Sequence, residues 1–321
     1  MPVRTAVGAF RPTLDGAGPG ATDRDVFIGP ARRYDAFQAV FFGDLRFLAI
    51  PGRAVFAGLR FAAVNESPAK MPRTAATAYS ADLASIHDAG FGHVAANAAV
   101  ELLKQLRKVR KREPSGLVVD LGCGSGILAQ TVSAAGYDVL GFDYSESMLA
   151  LARKRAPRAE FRRESFITAQ LPPCIAIAAV GEVFNYLFDR RNRAARLPKV
   201  LRSLYQALVP GGLLLFDVAA PGRVPGSVPV RGFAEGPGWT CLYTAEEDRR
   251  RMTLTRTITS FWKAGDLYRR SREIHRLRLY PRTTVQQELR RAGFQVRPRS
   301  GYGRFRFPPG WVGFAATKPR Q

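Results

Sequence analysis

Cysteine is scarce in this 321-residue chain. Cys123, Cys174 and Cys241 form no CxxC pair, which excludes a disulfide framework and a thiolate zinc site and suits a reducing compartment. Acidic residues are also few, 26 Asp and Glu against 49 Lys and Arg, leaving a formal net charge of +23. Such a balance favours an anionic partner. The basic residues are mostly Arg, however, and are spread along the chain as a general compositional bias would leave them. Long apolar runs are missing too. The most apolar early stretch, Ala39 to Val64, is broken by Asp44, Arg46, Arg53 and Arg60. It falls short of the ~20 apolar residues a membrane span needs. No basic segment followed by an apolar run opens the chain, so no secretory signal is visible. A cytoplasmic protein without membrane or metal is the expectation. A hydrophobic fraction of 46% is enough for a packed core.

The first seventy residues lack a sustained period and are punctuated by Pro, Gly and Arg. Residues 1–70 read as an irregular extension, with Met71 as an alternative start of the working protein. Pattern then sets in. Ala95, Ala98, Leu102, Leu103, Leu106 and Val109 recur at helical spacing. Strands follow at Leu117–Leu121, Val139–Phe142, Ala159–Arg162, Ile175–Val180 and Leu213–Val218. Between them lie helices at Ile127–Ala135, at Ser145–Arg155 behind a Ser cap, and from Leu197 to Leu208, where Pro210-Gly211-Gly212 stops the last. Alternating strands and helices predict an α/β fold, a Rossmann-like, doubly wound, mostly parallel sheet over residues 71–321. From 221 to 281 the period changes to two. Trp239–Thr244, Met252–Trp262 and Leu267–Tyr280 predict an inserted antiparallel β-meander. A helix at Thr284–Arg291 and strands at Phe294–Val296 and Val312–Ala316 complete the chain.

The segment Asp120-Leu121-Gly122-Cys123-Gly124-Ser125-Gly126 lies between the first strand and its helix. Glycines at this turn let the backbone pass close to a ligand, and the helix N-terminus beyond offers unpaired N–H groups. A nicotinamide dinucleotide loop would place a third Gly at position 127, which is Ile. The acid two residues before the first Gly suits the ammonium of an amino-acid moiety instead. At the end of the second strand Asp143 is placed to accept from both hydroxyls of a ribose.

This unit resembles the cofactor loop and following acidic position of class I S-adenosylmethionine-dependent methyltransferases. The likeness extends over roughly Tyr79 to Pro319. It includes Ala78–Leu83 and Ile86–Gly92, which look like the opening helix of small-molecule members. Gly181–Leu187 looks like the stretch after the fourth strand, Leu208–Gly212 like the turn before the fifth, and Ala292–Phe294 like the approach to the sixth. The resemblance implies S-adenosylmethionine as cofactor, its methionine end held by Asp120 and the loop Gly122, Cys123, Gly124 and Gly126. It puts the ribose on Asp143, the adenine between Tyr144, Met148, Ser165 and Phe166, and Glu182 beside the methionine or the acceptor. Two departures stand out: Ile175 and Ser165 occupy positions where many relatives carry acids.

Transfer from a sulfonium needs alignment and dryness more than a fixed catalytic triad. Glu182, Asn185 and Tyr186, at the end of the fourth strand, are therefore the first candidates for acceptor contacts. His275 is the next. On its strand Glu273, His275, Leu277 and Leu279 share the face turned inward, and Arg270, Arg272, Arg276 and Arg278 face out. His87 with Asp88 is a third candidate, at the cofactor entrance. A small-molecule acceptor methylated on O or N is the favoured function, with the meander as substrate lid. An RNA or protein methyltransferase using the basic surface is the alternative. The Asn/Asp-Pro-Pro-aromatic grip on a flipped base is absent, so no specific nucleic acid is expected.

Overall fold

The computed structural model describes residues 78–109, 115–226 and 228–320. The expected extension 1–70 lies outside the described residues. Two helices, α1 (Ala81–Phe91) and α2 (His93–Val109), lead into β1 (Leu117–Leu121). Then come α3 (Ile127–Ala134), β2 (Asp138–Asp143), α4 (Glu146–Arg155), β3 (Glu160–Arg163), β4 (Cys174–Ala179), α5 (Leu197–Ala207) and β5 (Leu208–Ala219). Ser145 caps α4 as its sequence position suggests, its hydroxyl accepting from Met148 N at 3.3 Å.

These strands form a seven-stranded sheet in the order β10-β13-β5-β4-β1-β2-β3, with β10 (Gln295–Arg299) and β13 (Trp311–Thr317) at the far side, and the short β11 (Gly301–Tyr302) and β12 (Phe305–Arg306) pair with each other. The strands β3, β2, β1, β4 and β5 run parallel, whereas β13 pairs antiparallel with both β5 and β10. The chain winds outward from β1 through β3, then returns to the other side of β1 with β4. That reversal opens a crevice at the carboxyl ends of β1 and β4.

The sheet is buried on both faces because its strands alternate two sets of apolar side chains. Val118, Ala176, Ala178, Leu213 and Leu215 pack with Leu83, Ala98, Leu102, Leu128 and Val132 of α1, α2 and α3. Val119, Leu121, Ile177, Leu214 and Phe216 pack with Leu201 and Leu204 of α5 and with Val285 and Leu289 of α6 (Arg282–Arg291).

Two details differ from the sequence reading. Pro210-Gly211-Gly212 lies inside β5 instead of before it. Leu208 and Leu213 pair with Cys174 and Ala176, so the intervening residues bulge out, with Gly211 at φ +77°. The meander has four strands, not three: β6 (Val230–Gly236), β7 (Trp239–Asp248), β8 (Thr253–Ala264) and β9 (Leu267–Arg278), paired in that order. The first has Gly at both 232 and 236 and little apolar alternation, so no period announces it.

The meander is joined to the sheet by backbone and side chain. Leu187 N donates to Arg276 O at 2.9 Å, and Tyr280 N to Ala219 O at 3.0 Å. Asn185, fully buried, donates to Ala219 O and Arg278 O, and its Oδ1 accepts from Ala219 N at 3.1 Å. Asn185 therefore pins the sheet to the meander, a structural role and not an acceptor contact. Replacing Asn185 with Ala would remove the side-chain partner of Ala219 N on the sheet and of Arg278 O on the meander. Each loss costs about 1–3 kcal/mol. Asn185→Ala is expected to lower stability by about 2–4 kcal/mol, read as a drop in the urea midpoint with little change in slope.

Candidate functional site

At the carboxyl end of β1 the chain turns through Gly122, Gly124 and Gly126, all left-handed at φ +66°, +54° and +78°. A Cβ on Gly122 would stand 2.5 Å from Val183 Cγ2, and one on Gly126 2.9 Å from Ala152 Cα. A Cβ on Gly124 would meet nothing within 4 Å, because that residue faces an open cavity. Asp143 fixes the loop from the next strand. Its Oδ2 accepts from Gly124 N at 2.9 Å and its Oδ1 from Ser145 N at 2.8 Å. Burial raises the Asp143 carboxyl above its ordinary range, against the pull of these N–H groups.

The cavity is lined by this loop and by residues from every element that meets it. Gly122, Cys123, Gly124, Asp143, Tyr144, Met148, Ser165, Phe166, Glu182 and Tyr186, expected at the site, all contribute to its wall. Tyr144 is 41% exposed at the rim, whereas Met148 is buried. Phe166 meets Phe184 edge-on with centroids 5.4 Å apart. Asp120, Gly126 and His275 do not line it. Asp120 is 2% exposed, and its Oδ2 has no hydrogen-bond partner among the described residues. Burial, and then the neighbouring Asp143 charge, push its carboxyl up to about 8.

The turn after β4 carries a left-handed residue of the wall. Glu182, not a glycine, sits at φ +63° and is 2% exposed. Its Oε1 receives Arg223 Nε at 2.7 Å, and Arg256 Nη2 lies 2.7 Å from its Oε2. Burial opposes ionisation, but Arg256 and Arg223 outweigh it and hold the Glu182 carboxyl below the usual range. Asp217 on β5 anchors the same turn from below. It accepts from Gly181 N and Glu182 N, from Tyr302 Oη at 2.9 Å and from Trp311 Nε1 at 2.7 Å. Burial still brings it up to about 6.

Tyr186 shares a hydrogen bond of 3.0 Å between its hydroxyl and that of Tyr79. Burial raises both phenols, Tyr79 most strongly, so both remain protonated. Tyr79 is itself at φ +48° and held from two sides. Its N–H donates to Glu273 Oε2 at 3.0 Å, and its carbonyl accepts from Ser145 Oγ at 2.9 Å. His275 stands behind it, 1% exposed, with Nε2 2.9 Å from Glu273 Oε2 and its ring 4.8 Å from that of Tyr79. The inward face read from the sequence is correct, yet it turns His275 toward Tyr79 and not into the cavity. His87 does reach the wall. Its Nδ1 has no hydrogen-bond partner among the described residues, and burial lowers it to about 4, so it stays neutral at physiological pH. Its neighbour Asp88 is taken by Arg155.

Sequence reasoning missed Tyr79 as a wall residue, and also Arg223, Arg256 and Asp217. One signal was present: along β8 the inward positions read Leu254, Arg256, Ile258, Ser260, and an Arg at an apolar parity demands a partner. Arg223 follows a Pro-Gly turn and carries no such mark.

Comparison with known proteins agrees with this geometry. The model of the methyltransferase domain family matches residues 118–212, from β1 into β5. A putative methyltransferase of Bacillus subtilis, YqeM, is 25% identical over 191 residues, covering 56% of this chain and 74% of its own. An S-adenosylmethionine-dependent methyltransferase from Clostridium acetobutylicum superposes with a TM-score of 0.63 at 14% identity, over 74% of this chain and 97% of that one. The sugar N-methyltransferase KedS8 of Streptoalloteichus does so with a TM-score of 0.59 at 18% identity, over 86% and 100%. A doubly wound sheet with a glycine loop under an acid-capped crevice, together with these relatives, defines a methyltransferase. The chain carries a methyltransferase domain over residues 118–212, on the fold of class I S-adenosylmethionine-dependent methyltransferases.

Asp120 offers a stability test. Its carboxyl titrates near 8 when folded and near 4 when unfolded. Between those values the unfolded chain has lost a proton that the folded chain keeps, so this group lowers stability as pH rises through that window. Asp120→Asn without ligand should therefore lose this decline and be the more stable protein at pH 8, measured by denaturant unfolding across pH.

Proposed function

We propose that this enzyme methylates an O or N atom of a small-molecule acceptor inside the cavity at the β1/β4 crevice, with the meander as its lid. The observation that supports the reading is that residues of the meander reach the cavity. Arg256 of β8 lines the cavity, and Glu273 of β9 holds Tyr79 over it. A largely apolar cavity with a few polar groups suits a small ligand. The sugar N-methyltransferase of the same fold is in keeping with it.

The residues present fit the cofactor. Gly124 has open space where a Cβ would point, and the N-terminus of α3 has no side-chain cap. In this reading Gly122, Cys123, Gly124 and Gly126 hold the methionine end, with Asp120 beneath as a carboxyl that ionises when an ammonium comes near. Asp143 accepts from the ribose while still gripping the loop. Tyr144, Met148, Ser165 and Phe166 enclose the adenine. S-adenosylmethionine supplies an electrophilic methyl on a sulfonium. Glu182 with Arg223 and Arg256 keeps the wall rigid, Tyr79 and Tyr186 orient the acceptor, and Glu273 with His275 keeps Tyr79 in place. His275 is thus a positioning residue.

One observation favours a second reading, methylation of RNA or protein. Arg190, Arg191, Arg193, Arg196 and Lys199 line a surface cleft that begins directly after the cavity residue Asp189. Such a cleft attracts polyanions, but without base-specific contacts the attraction fades with salt.

Two measurements test this function. Asp143→Ala is expected to bind S-adenosylmethionine at least about tenfold more weakly by calorimetry, with its circular dichroism retained. Incubation with labelled cofactor should transfer label to a component of a metabolite extract. Transfer to one defined nucleotide of purified tRNA or rRNA at physiological salt would instead make the basic cleft the substrate platform.

A further inference from the structure

We propose that the methyl acceptor is a small carboxylate, gripped by Arg256 and the hydroxyls of Tyr79 and Tyr186, and methylated on its carboxylate oxygen. This deepens the small-molecule reading above and rests on it.

The donor set comes first. Among the described residues that line the cavity, Arg256 is the one Arg or Lys. It reaches the wall from β8 with its side chain 3% exposed, beside Glu182 at 2.7 Å. Glu182 is shared with Arg223, also 2.7 Å away, so one carboxylate serves two guanidinium groups at this wall. A guanidinium carries five N–H donors in a fork that matches a carboxylate. Tyr79 and Tyr186 stand on the same wall with their hydroxyls 3.0 Å apart, and one of the two hydrogens is left over once they bond each other. The acceptor end is thus rich in donors.

It is equally poor in bases. Glu182 is held between two arginines and kept below the usual carboxylate range by them. His87 has been brought down to about 4 by burial, so its imidazole takes up a proton poorly. Both phenols stay protonated. Of the remaining acids of the wall, Asp143 grips Gly124 and Ser145, Asp189 is ion-paired with Arg191, and Glu164 follows β3, three strands away from β4 in the sheet. An ammonium would have to shed a proton before attack, and a hydroxyl during it, and among the described residues of this end none is suited to receive one. A carboxylate arrives already deprotonated.

The step balances without a proton. One carboxylate oxygen is held by Arg256 and the tyrosine pair, and the other attacks the sulfonium methyl. The new O–CH3 bond forms as the S–CH3 bond breaks, and its electron pair stays on sulfur as a thioether. A negative and a positive charge are consumed together, giving a neutral methyl ester. Charge neutralisation in a dry site favours this transition state.

The experiment uses the full chain. Binding of S-adenosylhomocysteine is measured first, because its failure would count against the proposed function as a whole. In its presence, a panel of small aliphatic and aromatic carboxylates and the matching uncharged amides is then screened by thermal shift. Label from the cofactor is traced in products of a metabolite extract. At least one carboxylate should raise the melting temperature where its amide does not, and the labelled product should release methanol in mild alkali, as an ester does. In Arg256→Gln the carboxylate shift should vanish, and in Tyr186→Phe the acceptor KM should rise roughly tenfold, as loss of a charge-assisted hydrogen bond implies. Arg256→Lys, which keeps the charge, should retain part of the shift and guards against simple misfolding of the Gln variant. All three variants should bind S-adenosylhomocysteine as the parent does. Alkali-stable label on an amine or hydroxyl, or amides that bind as well as acids, would overturn the proposal and leave the methyltransferase assignment standing.

Discussion

A single buried carboxylate holds three parts of this molecule in register. Glu182 ends β4, Arg223 follows β5, and Arg256 comes from the middle of the meander, yet all three meet within salt-bridge distance and are almost wholly buried. Charges removed from water cost several kcal/mol each unless paired, so none of the three can leave alone. Asp217 fixes the same turn from the sheet side, through the N–H groups of Gly181 and Glu182. The left-handed backbone at Glu182 persists because these bonds over-determine it. The acceptor end inherits its shape from this arrangement, since Arg256 and Tyr186 are aligned by it and Tyr79 is aligned by Tyr186.

Much of the sheet was legible because its signals are local. β1, α3, β2 and α4 each begin and end within a residue or so of the pattern in the sequence, and the Ser145 cap is present as expected. The glycine loop was legible for a steric reason: three left-handed residues two apart leave few alternatives to Gly. The inward face of β9 was legible from its period of two.

What escaped was non-local or unpatterned. β6 has glycines where a strand would show apolar residues, and it forms because β7 offers it an edge. The bulge in β5 arises from pairing with β4, which no property of Pro210-Gly211-Gly212 alone reveals. Tyr79 looks from the sequence like one more residue before a helix. Its importance comes from Glu273, 194 positions away. His275 was read correctly as inward, but which neighbour it would face depends on how the meander settles on α1.

The placement of β13 bears on how the protein can be cut or tagged. Although it comes late in the chain, it is an interior strand, paired from Trp311 to Thr317 with β5 on one side and from Gly313 to Thr317 with β10 on the other. Trp311 also reaches Asp217, so the strand supports the turn that carries Glu182. Trimming back to residue 310 would open two raw sheet edges at once and remove a partner from a buried acid. A fusion partner joined beyond Lys318 has to leave β13 its full length, because a proteolytic nick inside that strand severs the sheet and not a tail.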